Sequence, residues 1–331
     1  MKNKIINAAG KTFLITCTLF IMIACHKGAK DPSPDSLGSI TSTSFKLEFN
    51  SYDLQILDQE DMPYSQISLL QVGSLPSDSN DTLRMGMFIW EGEYYNHPVR
   101  LAQKILRCEL TYRETGDSLF LRGADIYIQK LFEIGHWNDD AIYFPYEFEL
   151  YPHAGRGEDN DIKLRNPWFS GMSQGQVLSA LSLLYRTTGD VKYLDYAEPV
   201  FKSFTKLKSN NDPWIVYIDS ADNLWIEEYP FDDPTNVLNG FIFGIFGLYD
   251  YYLCDQQNEL RKFILNATIT TIENNIQRYR REDSYSYYCL GHRYAAESYH
   301  HIHADQLATL SMIANSDYLF EMSESFKLDN D

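Results

Sequence analysis

Tyr112-Arg113-Glu114-Thr115-Gly116-Asp117 recurs as Tyr185-Arg186-Thr187-Thr188-Gly189-Asp190, and this repeat decides the fold. The copies stay in step through Phe120-Leu121 against Tyr193-Leu194, and Ala124 against Ala197. A helical face leads into the second copy: Val177, Ala180, Leu181, Leu184 and Tyr185 fall at i, i+3, i+4, i+7 and i+8. Glycine in the left-handed position stops one helix, and the Asp after it accepts from the free N–H groups that open the next. Each copy therefore marks the turn of a helical hairpin. A third hairpin is expected from Leu238 through Tyr252 into residues 260–279, and a fourth beginning near Ala304. Leu238 to Tyr249 is apolar on nearly every side, as an inner helix covered by an outer one must be. Repeated inner and outer helices predict a mainly α fold, an (α/α) barrel or toroid, with an irregular helical bundle as the alternative.

Short β-hairpins are expected in the loops. Ile142 to Leu150 alternates and is β-prone, and Trp214-Ile215-Val216-Tyr217-Ile218 and Leu224-Trp225-Ile226 flank a turn at residues 219–223. Residues 45–92 carry short alternating segments such as Phe45-Lys46-Leu47-Glu48-Phe49 and form a small N-terminal extension before a barrel over 93–327.

The 331 residues are 44% apolar, 15% aromatic and 22% charged, an ordinary globular balance. A formal charge of −18 excludes a nucleic-acid binder, which needs a basic face to displace condensed counterions. At the N-terminus, Lys2, Lys4 and Lys11 precede the apolar stretch Thr12 to Ile23, and Met22-Ile23-Ala24-Cys25 ends it. That pattern resembles a bacterial lipoprotein signal peptide over 1–24 with lipidation at Cys25, a simple membrane anchor being the alternative. Residues 1–24 hold those three lysines and no acid, so their removal takes the charge from −18 to −21. Residues 25–44, rich in Ser, Pro, Gly and Asp, read as a flexible tether, which gives a body lipid-anchored to the cell envelope. Cys108, Cys254 and Cys289 remain, without CxxC spacing, and read as core residues rather than disulfide or zinc ligands.

Three clusters carry candidate chemistry. Trp225-Ile226-Glu227-Glu228-Tyr229-Pro230 places two acids beside aromatics, where a partly buried carboxyl gains a raised pKa suited to proton transfer; two solvated acids is the plainer reading. Tyr285 to Arg293 is rich in tyrosine. Tyr299-His300-His301-Ile302-His303 is expected just before a helix, where imidazoles cap, stack or bind an anionic group. Without an acidic ligand at helical spacing it is a poor metal site. The sequence holds no P-loop, GxGxxG, GxSxG or HExxH.

Taken together, several ordered blocks carry a resemblance. They are His97-Pro98-Val99, Asn166 to Gln176, Glu227 to Pro230, Val237-Leu238-Asn239-Gly240-Phe241, Gly247 to Asp250, Tyr288 to His292, and Tyr299-His300 with His303 to Leu307. Over roughly residues 97–325 the chain resembles the C-terminal domain of the D-glucuronyl C5-epimerases. The resemblance implies an (α/α) barrel, no cofactor or metal, and a uronic-acid-containing polysaccharide such as heparosan as substrate. It also implies a homodimer, by analogy with the animal enzymes. It carries the catalytic roles to Glu228, Tyr288 and Tyr299, and substrate binding to Tyr229, Asn239, Trp168, Gln174, Gln176, Arg293, His300 and His303. Two departures stand out. Gly291 occupies the position where the family commonly has an Arg, with Arg293 two residues on, and the large β-sandwich preceding the animal barrel has no room here.

C5 epimerisation removes a proton α to a carboxylate and returns one to the opposite face, so it needs an acid/base group on each side of the ring and donors aimed at the developing charge. Glu228 as base and Tyr299 as donor fit those places, with Tyr288 or Tyr229 relaying charge. A lyase would form the same carbanion and expel the 4-O substituent. A non-catalytic glycan-binding lipoprotein would keep the cleft and lose turnover. Arg156, Lys163 and Arg165 are candidates for a local basic groove that offsets the acidic body.

Overall fold

Both copies of the Thr-Gly-Asp junction fold alike in the computed structural model, which describes residue 47, residues 49–152 and residues 163–329. Helix α1 (Pro98–Thr115) stops at Gly116, φ 70°, and α3 (Gly171–Thr188) stops at Gly189, φ 72°. Each glycine N–H donates back to the helix, to the carbonyls of Tyr112 and Tyr185, both at 2.7 Å. The Asp side chains then accept from the next helix, Asp117 from Leu119 N at 2.9 Å and Asp190 from Lys192 N at 3.1 Å, opening α2 (Leu119–Ile134) and α4 (Lys192–Lys202). The paired residues of the repeat bury alike: Phe120 and Tyr193, Ala124 and Ala197 are all in the core.

The third hairpin is α5 (Leu238–Tyr252) with α6 (Glu259–Asn275), as expected. The fourth, α7 (Glu297–Ala314) with α8 (Asp317–Leu328), begins at Glu297 rather than near Ala304. Tyr and His are weak helix formers, so propensity hid the first two turns; packing of His300 and His303 in the interior makes them helical. The hairpins form an (α/α) toroid in which α1, α3, α5 and α7 are the inner helices, α3 lying between α1 and α5, and α7 beside α5. Between α7 and α1 the ring opens into a cavity lined by both.

The loops at one end carry the hairpins β1 (Phe88–Trp90) with β2 (Glu93–Tyr95), β3 (His136–Asn138) with β4 (Ala141–Tyr143), and β5 (Val216–Ile218) with β6 (Leu224–Ile226), all antiparallel. The alternating stretch from Ile142 leaves its hairpin at Tyr143 and continues extended, Tyr146 and Leu150 bridging to Trp168 and Leu164.

Residues 49–70 form a strap across the opposite end. Asn50 N and the Tyr52 hydroxyl bond α6 at Thr270 and Glu273, Gln55 N donates to the Ile313 carbonyl on α7, and Leu57 N to the Tyr249 hydroxyl on α5. Leu70 N then reaches Thr111 Oγ1 on α1. Because these bonds join residues far apart in sequence, no local pattern announces them. The export segment, Cys25, the tether and Arg156 lie outside the described residues. No helix among the described residues is long and apolar enough to cross a membrane.

Candidate active site

The first turns of all four inner helices meet at the loop end around a cleft of about 400 Å³, lined by residues that include His97, Trp168, Glu228, Tyr229, Asn239 and Tyr299. The positive ends of the helix dipoles favour negative charge at such a place.

Glu228 stands at the centre of this arrangement because β6 delivers it across two helix starts. Gly171 N, the first residue of α3, donates to the Glu227 carbonyl at 2.7 Å, and Glu227 N donates to the Ile215 carbonyl at 2.7 Å. The neighbouring acids then point apart. Glu227, fully buried, accepts from Thr235 N and Oγ1, each at 3.2 Å, and from Asn236 N at 2.8 Å, so it pins the loop that leads into α5. Glu228 lodges against the first turn of α5, where Gly240 leaves room for its carboxylate. Burial pushes Glu228 up to about 7 and Glu227 up to about 8, the latter against the pull of its donors. Both acids are thus inside, whereas the sequence left open that both were solvated.

Tyrosines complete one wall. Tyr288 donates to the two Glu228 oxygens at 3.5 and 3.4 Å, and its hydroxyl lies 3.4 Å from that of Tyr229. Its ring is 4.5 Å from that of Tyr299. Tyr288 is buried and sits behind the cleft wall, joining Glu228, Tyr229 and Tyr299 rather than facing the cavity. Burial together with the nearby carboxylate holds the Tyr288 and Tyr229 phenols well above the ordinary range, so both are donors at neutral pH. The loop reaches this position because Tyr288 O accepts from Leu238 N at 3.0 Å and Gly291 N donates to the Thr235 carbonyl at 3.0 Å. On the far side Trp168 stacks on Tyr146 at 4.0 Å.

Other residues expected at the site lie elsewhere. Gln174 is a buried clamp: its Oε1 accepts from Phe144 N at 3.1 Å, and its Nε2 donates to the Ile142 carbonyl at 2.8 Å and to Ser203 Oγ at 2.9 Å. Gln176, two positions on and so rotated to another helix face, lines the cavity between α1 and α7. Arg293 is exposed, in the left-handed region at φ 46°, and outside the cleft lining. His300 and His303 turn inward: His300 Nδ1 accepts from Ser286 N at 3.0 Å, and His303 Nδ1 is 2.8 Å from Ser286 Oγ. Burial pushes His303 down to about 3, so it is neutral and anchors the Tyr288 loop from below. Among the described residues lining the cleft there is no Lys or Arg. Lys163 and Arg165 instead line a neighbouring surface groove.

Among the lining residues given no role from sequence are His97, which stands in a quoted motif block, and Tyr146. His97 is the N-cap of α1, accepting from Arg100 N at 3.4 Å, and burial lowers its pKa to about 4. Its signal was the His97-Pro98 pair itself, since Pro at the first helical position announces a helix start and hence the cleft end.

The fold is an (α/α) toroid of helical hairpins with a carboxyl-and-phenol cleft at its loop end. Residues 139–327 match the family D-glucuronyl C5-epimerase C-terminus, and the chain belongs to that family. It is 30% identical over 159 residues to the D-glucuronyl C5-epimerase of Caenorhabditis elegans, covering 46% of this chain and 23% of the worm protein. An uncharacterized protein of Methanocaldococcus jannaschii is 27% identical over 168 residues, half of each chain. The chain thus spans a quarter to a half of these relatives. Similar solved structures include the family 76 α-mannanase of Bacteroides thetaiotaomicron, at 12% identity, TM-score 0.44, 72% of this chain and 58% of that one. A polysaccharide lyase has 15% identity, TM-score 0.44, and coverage of 77% and 32%.

Proposed function

We propose that the protein is a polysaccharide uronate C5-epimerase, converting D-glucuronate to L-iduronate residues. The observation that carries this reading is the buried Glu228 carboxyl held against the Tyr288–Tyr229 hydroxyl pair in a cleft ringed by helix starts. Glu228 as carboxylate takes the C5 proton, and the electron pair passes into the substrate carboxylate as an enediolate. The N-terminal ends of the inner helices and the Tyr229 and Tyr299 phenols ring the cleft where that charge develops. Tyr299 returns a proton to the opposite face of C5, and Tyr288, which adjoins both residues, carries the proton from Glu228 back to Tyr299. Glu228→Gln is expected to slow exchange of the C5 proton by roughly 10²–10⁴-fold with the fold retained. In the parent the rate is expected to rise with pH through about 7, as Glu228 ionises.

The cation-free lining of the described cleft favours a second reading, a glycan-binding protein without turnover, because a uronate left unneutralised is a poor carbon acid. One experiment separates the readings: NMR in D₂O with unsulfated glucuronate polymers. Loss of the C5–H signal with iduronate formed supports epimerisation, while an unsaturated uronate indicates a lyase. Binding without exchange supports the second reading. Tethering through Cys25 belongs to the same proposal and is checked by the mass of the N-terminal peptide.

A further inference from the structure

The cleft holds an imidazole that proton transfer between Glu228 and Tyr299 does not use. His97 is half-buried in the lining, at the start of α1. Its Nδ1 accepts from Arg100 N at 3.4 Å, so that nitrogen presents its lone pair to the helix and the ring proton sits on Nε2. No other described residue bonds Nε2. The ring is held in place by its neighbours: Phe88 and Tyr146 pack edge-on against it with centroids at 5.3 and 5.0 Å, and Phe148 stacks at 6.4 Å. With Nδ1 turned to the helix, the N–H edge is the one left for the cleft.

The ring is also neutral. Burial lowers its pKa to about 4, and the Arg100 guanidinium, which lies 5.0 Å over the Phe88 ring, adds to the effect. The other titratable groups of the described lining are Glu228 and the phenols of Tyr146, Tyr229 and Tyr299. A neutral imidazole N–H near pH 7 is a hydrogen-bond donor and not an acid, so it keeps its proton while negative charge develops beside it. Position decides which charge it meets. Glu228 lodges against α5 and His97 opens α1, with α3 between those two helices in the ring. A uronate whose C5 lies at Glu228 can turn its own carboxylate toward α1, away from the Glu228 charge, and no Lys or Arg of the described lining competes for it.

We propose that His97 is a further catalytic residue, whose Nε2–H donates to the substrate carboxylate and holds the charge that develops there. This rests on the epimerase reading. As the C5–H bond breaks, Glu228 takes the proton, the electron pair moves into the carboxylate, and Nε2 keeps its hydrogen.

Asn and Gln separate the two roles of His97. Asn caps a helix well, but its amide stops near the Nδ1 position, short of the cleft. Gln is a poorer cap and carries an N–H to about where Nε2 lies. In His97→Asn, exchange at C5 of an unsulfated glucuronate polymer is expected to fall by about 10²-fold in kcat with the urea midpoint unchanged, and His97→Gln should recover about tenfold. Turnover equal to the parent in His97→Asn overturns the proposal, as does equal loss in both variants at unchanged midpoints. The second readout is ¹⁵N NMR of histidine-labelled protein at pH ~6, with the His97 signal identified by its loss in His97→Asn. A neutral Nε2–H form that shifts with methyl β-D-glucuronoside and not with methyl β-D-glucoside supports the contact. An imidazolium, or the same response to both glycosides, overturns it. If the parent exchanges no C5 proton, the epimerase reading fails, and the glycoside comparison still decides whether His97 holds a carboxylate.

Discussion

Glu227 and Glu228 are adjacent in sequence and opposite in role, because they follow the end of β6 and the chain bends at Glu228. One holds a loop and the other faces the cleft, and the choice between them rests on what each meets. A Cβ at Gly240 would lie 2.2 Å from Glu228 Oε2 and 2.6 Å from its Cβ. Gly240→Ala is therefore expected to displace the carboxylate and cut exchange by about 10²-fold with helix content intact; unchanged turnover would show that this lodging does not aim the base. Asp250 is a further buried acid, on α5 and outside the cleft lining, and burial raises it to about 7 against the pull of the Ser179 hydroxyl. A raised acid binds its proton more tightly folded than unfolded, so stability is present below the unfolded pKa of 3.8 and lost as pH rises to about 7. Asp250→Asn should match the parent at pH ~4 and exceed it at pH ~8 by on the order of 3 kcal/mol, measured by urea unfolding.

Glycine sets how the inner helices meet. In α5 the glycines at 240, 244 and 247 cost helix propensity, about 1 kcal/mol each against Ala, and close approach explains them. A Cβ at Gly247 would lie 2.3 Å from the Gly175 carbonyl oxygen, and one at Gly175 would lie 2.5 Å from the Phe243 carbonyl oxygen. These are backbone atoms that no rotamer change can move aside. Gly247→Ala should thus lower stability by about 3 kcal/mol despite the better helix former, and a stabilised variant would refute that account. The hairpin turns were legible because Gly-Asp punctuation is local. The start of α7 was not, because its first turns are held by burial of His300 and His303 and not by propensity.

At the scale of the whole molecule, net charge opposes the proposed substrate. A chain at −18 repels a polyanion over a distance set by the Debye length, about 30 Å at 10 mM salt and about 8 Å at 150 mM. KM for a glucuronate polymer is therefore expected to fall as salt rises across that range, whereas a protein with a basic groove would show it rising. The strap adds a second long-range feature: residues 49–70 tie the lower ends of α1, α5 and α7 together, at the end of the toroid away from the cleft.

The repeated junction, the helical periodicity and the ordered motif blocks determined the hairpins and the family from sequence alone, because each is a local pattern of residue types and spacing. Trp168, Tyr229, Asn239 and Tyr299, all named from the motif blocks, line the cleft. Only the tertiary structure placed Tyr288 behind the wall, turned Gln174, His300 and His303 into clamps, left Arg293 outside, and opened the seam between α1 and α7. A motif names which residues belong to a site, but which way each points depends on helix phase and on hydrogen bonds between segments far apart in the chain.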